Sequence, residues 1–234
     1  MTEFVCTMPA AYARAFTSNE ILEHARIVAR RGARMAHAEM CVGPSGEQVC
    51  VVAEDRPGLL ALITDALLVH GLSIRHAKIY CRERSDGPSE AVDFFQLQHS
   101  QGEIEHGVGA AELAAFLQTL CELVAEDVLA QARPSVAPPS SSPRTRVYFE
   151  LAAPRGDQAT LFVEAPDGEG LLNAISNALA AQNVRIRASE IRTDGGVAHD
   201  RFDLVSNDRQ AFTAVRLCDI QQAVFTALPK LGRR

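Results

Sequence analysis

The stretch VVAEDRPGLLALITDALLVHGLSIRHAKI, residues 51 to 79, lies without a gap over VEAPDGEGLLNAISNALAAQNVRIRASEI, residues 163 to 191, when the chain is slid against itself by 112 positions. Twelve of the 29 pairs are identical, where about two would agree by chance at average composition. The chain is therefore two copies of one module, and the period is that of a small domain rather than a solenoid unit. In the first copy Val49, Val51 and Ala53 alternate up to the Asp55-Arg56-Pro57-Gly58 break, as a strand entering a tight turn does. Leu59, Leu60, Ile63, Ala66 and Leu67 then recur at helical spacing until His70-Gly71, a good helix stop. Leu171, Leu172, Ile175, Ala178 and Leu179 repeat that pattern up to Gln182-Asn183.

Working outward, two strands follow each helix: Leu72 to Arg82 and Ala91 to Gln98 in the first copy, Val184 to Thr193 and Asp200 to Val205 in the second. A long amphipathic helix closes each copy, with a core face of Leu113, Phe116, Leu117, Leu120 and Val124, and of Phe212, Val215, Ile220 and Val224. Apolar stretches precede the first strands, Met35 to Val42 and Val147 to Ala152. Hairpins through Gly43-Pro44-Ser45-Gly46 and Pro154-Arg155-Gly156-Asp157 would lay them beside those strands. The expected fold is α+β: two ferredoxin-like modules, each an antiparallel sheet with helices on one face in a permuted ββαββα order. The alternative is that Val147 to Ala152 completes the first module's sheet by strand exchange. In the second strand of the repeat the apolar face changes partway, from Leu72 and Ile74 to Ala77 and Ile79 and likewise in the second copy. A bulge or burial against another module would do this.

The domain division reads as an N-terminal helical segment (1–33), a first module (34–132), a Pro/Ser-rich linker RPSVAPPSSSPRT (133–145) and a second module (146–234). A Thr17-x-x-Glu20 capping box opens a helix at Asn19 to Arg31. It either packs on the first module or serves as a docking element.

With 23 basic against 29 acidic residues, the formal charge of −6 offers no field for nucleic acid or anionic lipid. No membrane-spanning run or signal peptide is evident, so a cytoplasmic location is expected. The six cysteines have no metal-ligand spacing, and only Cys41 and Cys50 sit close enough in sequence to face each other across a hairpin. No His/Asp cluster, nucleophile motif or cofactor fingerprint appears, so neither catalytic residues, metal nor cofactor are expected.

The Asp55-Arg56-Pro57-Gly58-Leu59-Leu60 turn, with His70-Gly71-Leu72-Ser73-Ile74 a dozen residues on, resembles the ACT domain, a small ligand-binding regulatory module. Asp167-Gly168-Glu169-Gly170-Leu171-Leu172 and Asn183-Val184-Arg185-Ile186 carry the same frame. The tandem arrangement is most similar to the ACT-ACT region of bacterial PII uridylyltransferase, without that enzyme's catalytic domains. The first 30 residues, with Phe4, Met8-Pro9, Tyr12, Glu20-Ile21 and His24, resemble the segment that enters that region.

Asp55 and Asp167 are placed to cap the helix N-termini. Gly58 and Gly170, lacking Cβ, would let a ligand carboxylate approach the positive end of each helix, while the aspartates would meet an ammonium. The candidate ligand-binding set is Asp55, Arg56, Gly58, Leu59 and Ser73 with Asp167, Gly168, Gly170, Leu171 and Arg185. ACT domains that bind amino acids often carry Asn where Ser73 and Arg185 stand, so the two sites are not equivalent.

The resemblance implies a non-catalytic sensor of an amino acid, glutamine first, at the module seams, acting on a regulated enzyme or signalling protein by population shift. An interaction adaptor with vestigial pockets, or a split regulatory part of a uridylyltransferase acting in trans, are the alternatives. Open strand edges favour intrachain pairing of the modules and a homodimer.

Overall fold

Glycine stops and period-two alternation become the expected elements in the computed structural model, which describes residues 2–44, 46–85, 87–99, 109–125, 145–150 and 156–228. Three helices come first: α1 (Thr2–Thr7), α2 (Ala10–Ala15) and α3 (Ser18–Arg31). The first module is β1 (Ala36–Gly43), β2 (Gly46–Glu54), α4 (Leu59–Val69), β3 (Leu72–Arg82), β4 (Glu90–His99) and α5 (Ala110–Ala125). The second repeats it as β5 (Arg146–Phe149), β6 (Gln158–Pro166), α6 (Leu171–Ala181), β7 (Val184–Asp194), β8 (Val197–Ser206) and α7 (Ala214–Ala227). The permuted ββαββα order holds in both copies. The linker at 133–145, the turn at Pro154-Arg155 and the end of the Val147–Ala152 stretch fall outside the described residues, apart from Thr145.

All eight strands form one antiparallel sheet in the order β1-β2-β4-β3-β7-β8-β6-β5. The modules meet through β3 and β7, where His76 pairs with Arg192, Tyr80 with Ala188 and Lys78 with Glu190. His76 and Ala188 are repeat counterparts, as are Tyr80 and Arg192, so this register is that of a local two-fold axis. Lys78 and its own counterpart Glu190 lie on that axis, where opposite charges suit a cross-strand pair. Strand β5 pairs with β6 of its own module, Val147 opposite Val163, which excludes strand exchange. The remaining free edges are β1 and β5.

The change of apolar face in the repeat's second strand has both of its expected causes. The register shifts between Ile74 and His76 and between Ile186 and Ala188, leaving Arg75 and Arg187 unpaired in bulges. Beyond the bulge each strand joins the other module. One core, including Leu59, Ile63, Leu67, Phe116, Leu120, Leu161, Ile175, Phe202, Ile220 and Val224, lies between the sheet and helices α4 to α7. In α7 the expected core face needs one correction: Val215 is 72% exposed, because the helix starts at Ala214 and its inward stripe runs through Leu217, Ile220 and Val224. Phe212 is buried just before the helix.

The N-terminal segment covers the opposite face of the first module. Phe4, Met8, Tyr12, Phe16, Ile21 and Ile27 pack on Cys50, Val52, Tyr80, Val92 and Phe94, which explains the unbroken burial from Val49 to Ala53 in β2. The capping box at Thr17 and Glu20 is formed. The apolar face of α3 is spent on this layer, so the helix packs on the first module. The Nε–H of Arg31 donates to Oε1 of Glu90 at 2.7 Å, tying α3 to β4 through a buried ion pair. His24 is fully buried and lies 2.8 Å through Nδ1 from the Tyr12 hydroxyl. Burial pushes its imidazole down to about 4, so the ring is neutral. Cys41 and Cys50 are both free and buried in this layer. Cys41 pairs with Gln48 and Cys50 with Glu39, a diagonal spacing beyond disulfide reach.

Candidate functional site

Each repeat turn ends in a glycine with positive φ, 80° at Gly58 and 78° at Gly170, and this glycine is the N-cap of α4 or α6. No side chain caps either helix. The expectation that Asp55 and Asp167 cap them is corrected: they sit three residues too early and open the turn instead. Their amides donate to Ser89 O at 2.8 Å and Gly196 O at 2.9 Å. Their carboxylates turn to the neighbouring strand. The Cys81 thiol donates to Asp55 Oδ2 at 2.9 Å, and the Thr193 hydroxyl to Asp167 Oδ2 at 3.1 Å. The glycines are required by φ rather than by space. A Cβ on Gly58 would meet Ala180 Cβ at 4.0 Å, and one on Gly170 would meet Leu68 Cδ1 at 3.8 Å, both ordinary contacts.

Those neighbours show that each turn faces the other module. The turn at Gly58 meets the end of α6 and the start of β7, including Leu179, Ala180 and Arg185. The turn at Gly170 meets the end of α4 and the start of β3, including Leu67, Leu68 and Ser73, with Gln98 beside them. The sequence reading grouped Ser73 with Gly58 and Arg185 with Gly170; the two-fold pairing of β3 with β7 exchanges them. Of the candidate residues, the structure brings Asp55, Arg56, Gly58 and Leu59 together with Arg185, and Asp167, Gly168, Gly170 and Leu171 together with Ser73.

The two seams differ sharply in space. At the first turn Arg185 Nη1 lies 3.2 Å from Asp55 Oδ2 in a part-buried ion pair, and only about 40 Å³ of cavity remains. At the second turn Ser73 leaves a cavity of about 220 Å³, a little under the ~300 Å³ where drug-sized pockets begin. The open seam therefore belongs to the second module's turn.

A buried carboxylate behind each turn escaped the sequence reading. Val51 pairs with Asp93 and its repeat counterpart Val163 with Asp200, so the two aspartates are equivalent. Asp200 is 2% exposed, lines the open cavity, and neither of its oxygens has a hydrogen-bond partner among the described residues. Burial pushes its carboxyl up to about 7; the Arg192 backbone amide nearby acts against this and the Asp167 carboxylate adds to it. Asp93 accepts the Tyr80 amide at 3.3 Å and is pushed well above the usual carboxylate range, first by burial and then by Asp55. The missed signal was an acid on the inward positions of Ala198-x-Asp200-x-Phe202-x-Leu204. Among the described residues no group of His, Cys, Asp and Glu is placed to hold a metal ion, and no helix is long and apolar enough to cross a membrane.

The shifts of Asp200 and His24 act on stability with opposite sign. Asp200 keeps a proton that the unfolded chain has lost, so its contribution is full below pH ~4 and vanishes as pH rises to 7. His24 refuses a proton that the unfolded chain takes, so its contribution is full above pH ~6.5 and vanishes as pH falls to 4. Between these limits each slope is about 1.4 kcal/mol per pH unit, and the two cancel. Asp200→Asn is expected to lose stability relative to the parent by about that slope as pH falls from 6.5 to 4.5. Urea denaturation at three pH values measures it, and a pH-independent difference would refute it.

No protein-family model matches the chain. It is 27% identical over 232 residues to the bifunctional uridylyltransferase/uridylyl-removing enzyme of Phenylobacterium zucineum, covering 95% of this chain and 24% of that protein. The namesake from Ralstonia nicotianae is 33% identical over 167 residues, covering 69% of this chain and 19% of its own length. The chain is similar to one part of the bifunctional uridylyltransferase/uridylyl-removing enzymes. It spans less than a quarter of the length of these relatives. Among solved structures, an aspartate kinase from Synechocystis overlaps 69% of this chain and 24% of its own, at 17% identity and a TM-score of 0.38.

Proposed function

We propose that this chain is a non-catalytic regulatory protein that binds a free amino acid at the open seam and passes its occupancy to a regulated enzyme or signalling protein. One observation carries the reading: a cavity of amino-acid size joins an uncapped helix N-terminus to the buried, unpartnered carboxyl of Asp200. Leu171 N donates to Gly168 O. The N–H groups of the next residues have no acceptor within the helix and suit an α-carboxylate. Asp167 then offers an anionic oxygen to the α-ammonium, and Asp200 a carboxyl oxygen that can accept a further hydrogen bond. Glutamine is the first candidate, by the resemblance to the uridylyltransferase ACT region.

Signalling follows from where the cavity lies. Its walls come from both modules, with Thr64, Leu67, Leu68 and Ser73 on one side and the Gly170 turn on the other. A ligand bridging them shifts the balance between module arrangements by its differential affinity for each.

Thermal unfolding against a panel of amino acids, nucleotides and organic acids tests the reading. One amino acid at a hundredfold excess over Kd stabilises the chain by ~2.7 kcal/mol. Asp167→Asn, which removes a charge-assisted hydrogen bond, weakens that ligand about tenfold. Stabilisation by none of the amino acids would overturn the proposal.

A further inference from the structure

We infer that the first seam is a second copy of the ligand cradle, held shut by the guanidinium of Arg185 as a tethered occupant, so that the chain binds one ligand where its duplication provides two sites. The ligand class follows from the occupant: a small molecule bearing a cationic nitrogen. This rests on the reading of the open seam as a ligand site.

The two cradles share their acids and their glycines. Asp55 matches Asp167, each met by a donor from the adjoining strand, Cys81 or Thr193. Asp93 matches Asp200. The helices α4 and α6 begin at uncapped glycines of equal conformation. The cradles differ within the turn, where Arg56-Pro57 stands against Gly168-Glu169, and in the residue crossing the seam from the opposite module, Arg185 in one direction and Ser73 in the other.

At the first seam the arginine reaches Asp55, whose side chain is 8% exposed, and little space remains. At the second, Asp167 is met among the described residues only by the Gly168 amide and the Thr193 hydroxyl, and Asp200 has no side-chain partner, only the Arg192 backbone amide nearby. A buried carboxylate calls for a partner cation or a proton. The duplication places the same anionic cradle twice, and in one copy the protein supplies the cation itself. A tethered cation is present at a high effective concentration, so a free ligand cannot compete for that seam.

Arg185→Ala and Arg185→Gln, the second keeping a shorter, uncharged hydrogen-bonding side chain, test the inference through thermal unfolding with methylguanidinium chloride in the low millimolar range. Sodium chloride at equal ionic strength is the control. Both variants are expected to lose a few degrees of Tm, and methylguanidinium should restore about 2 to 4 °C saturably. The parent and Arg185→Ala/Asp55→Asn should not respond. Calorimetry with L-glutamine should then give one site in the parent and two in Arg185→Ser. Absence of saturable rescue in both variants overturns the inference whatever glutamine does, as does a stoichiometry of two in the parent. Rescue in a chain that binds no amino acid leaves the tethered occupant standing and overturns the ligand reading of the open seam alone.

Discussion

Ser73→Arg is expected to weaken ligand binding at the open seam more than a hundredfold, equivalent to ~2.7 kcal/mol of binding free energy. Ser73 holds the position across the seam that Arg185 holds in the other direction, and its own hydroxyl makes a single 3.3 Å bond to Gln98 O. An arginine there starts from the same strand position, beside the same kind of helix end, and faces Asp167 as Arg185 faces Asp55. It would occupy the volume the ligand needs and neutralise the carboxylates the ligand needs, so the two losses act together. The new ion pair is half-exposed at best and should add no more than about 1 kcal/mol to stability. Calorimetry with the amino acid that stabilises the parent measures the effect. Undiminished affinity in a folded Ser73→Arg chain would place the ligand elsewhere.

Tyr12→Ala is expected to destabilise the chain by about 3–5 kcal/mol, a fall in Tm of roughly 10 °C. Tyr12 has no exposed surface. Its ring meets Phe4, Phe16, His24, Tyr80 and Phe94 at centroid distances of 5.1 to 6.4 Å, so truncation leaves a cavity at the centre of the layer that joins the N-terminal helices to the sheet. Tyr12→Phe keeps the ring and strands only His24 Nδ1, at a cost of about 1–2 kcal/mol. Urea denaturation at pH 7 separates the two. Equal losses would mean that the hydrogen bond, not ring packing, holds the layer.

Much of the architecture was legible because it is local. Leu59, Ile63 and Leu67 repeat at helical spacing whatever surrounds them, and Gly71 stops a helix by its own backbone freedom. The bulge beside Arg75 announced itself as an apolar face changing sides. The candidate site was legible only in part. Asp55, Gly58, Asp167 and Gly170 were found as turn residues, but the capping role given to the aspartates fails because the αL glycine, not the aspartate, directly precedes the helix. Asp93 and Asp200 were passed over because an acid in a strand reads as solvent-facing until a second layer shows that its side is the inner one.

By itself, then, the sequence determined the duplication, the order of strands and helices in each copy, and the turn that begins each cradle, since periodicity and glycine conformation are properties of neighbours along the chain. Tertiary structure alone decided which cradle is open. Antiparallel pairing of β3 with β7 turns one copy half-way round on the other, so that each cradle is completed from the opposite copy. A side chain's worth at the seam, a hydroxyl at Ser73 or a guanidinium at Arg185, then depends on a contact between residues more than a hundred positions apart.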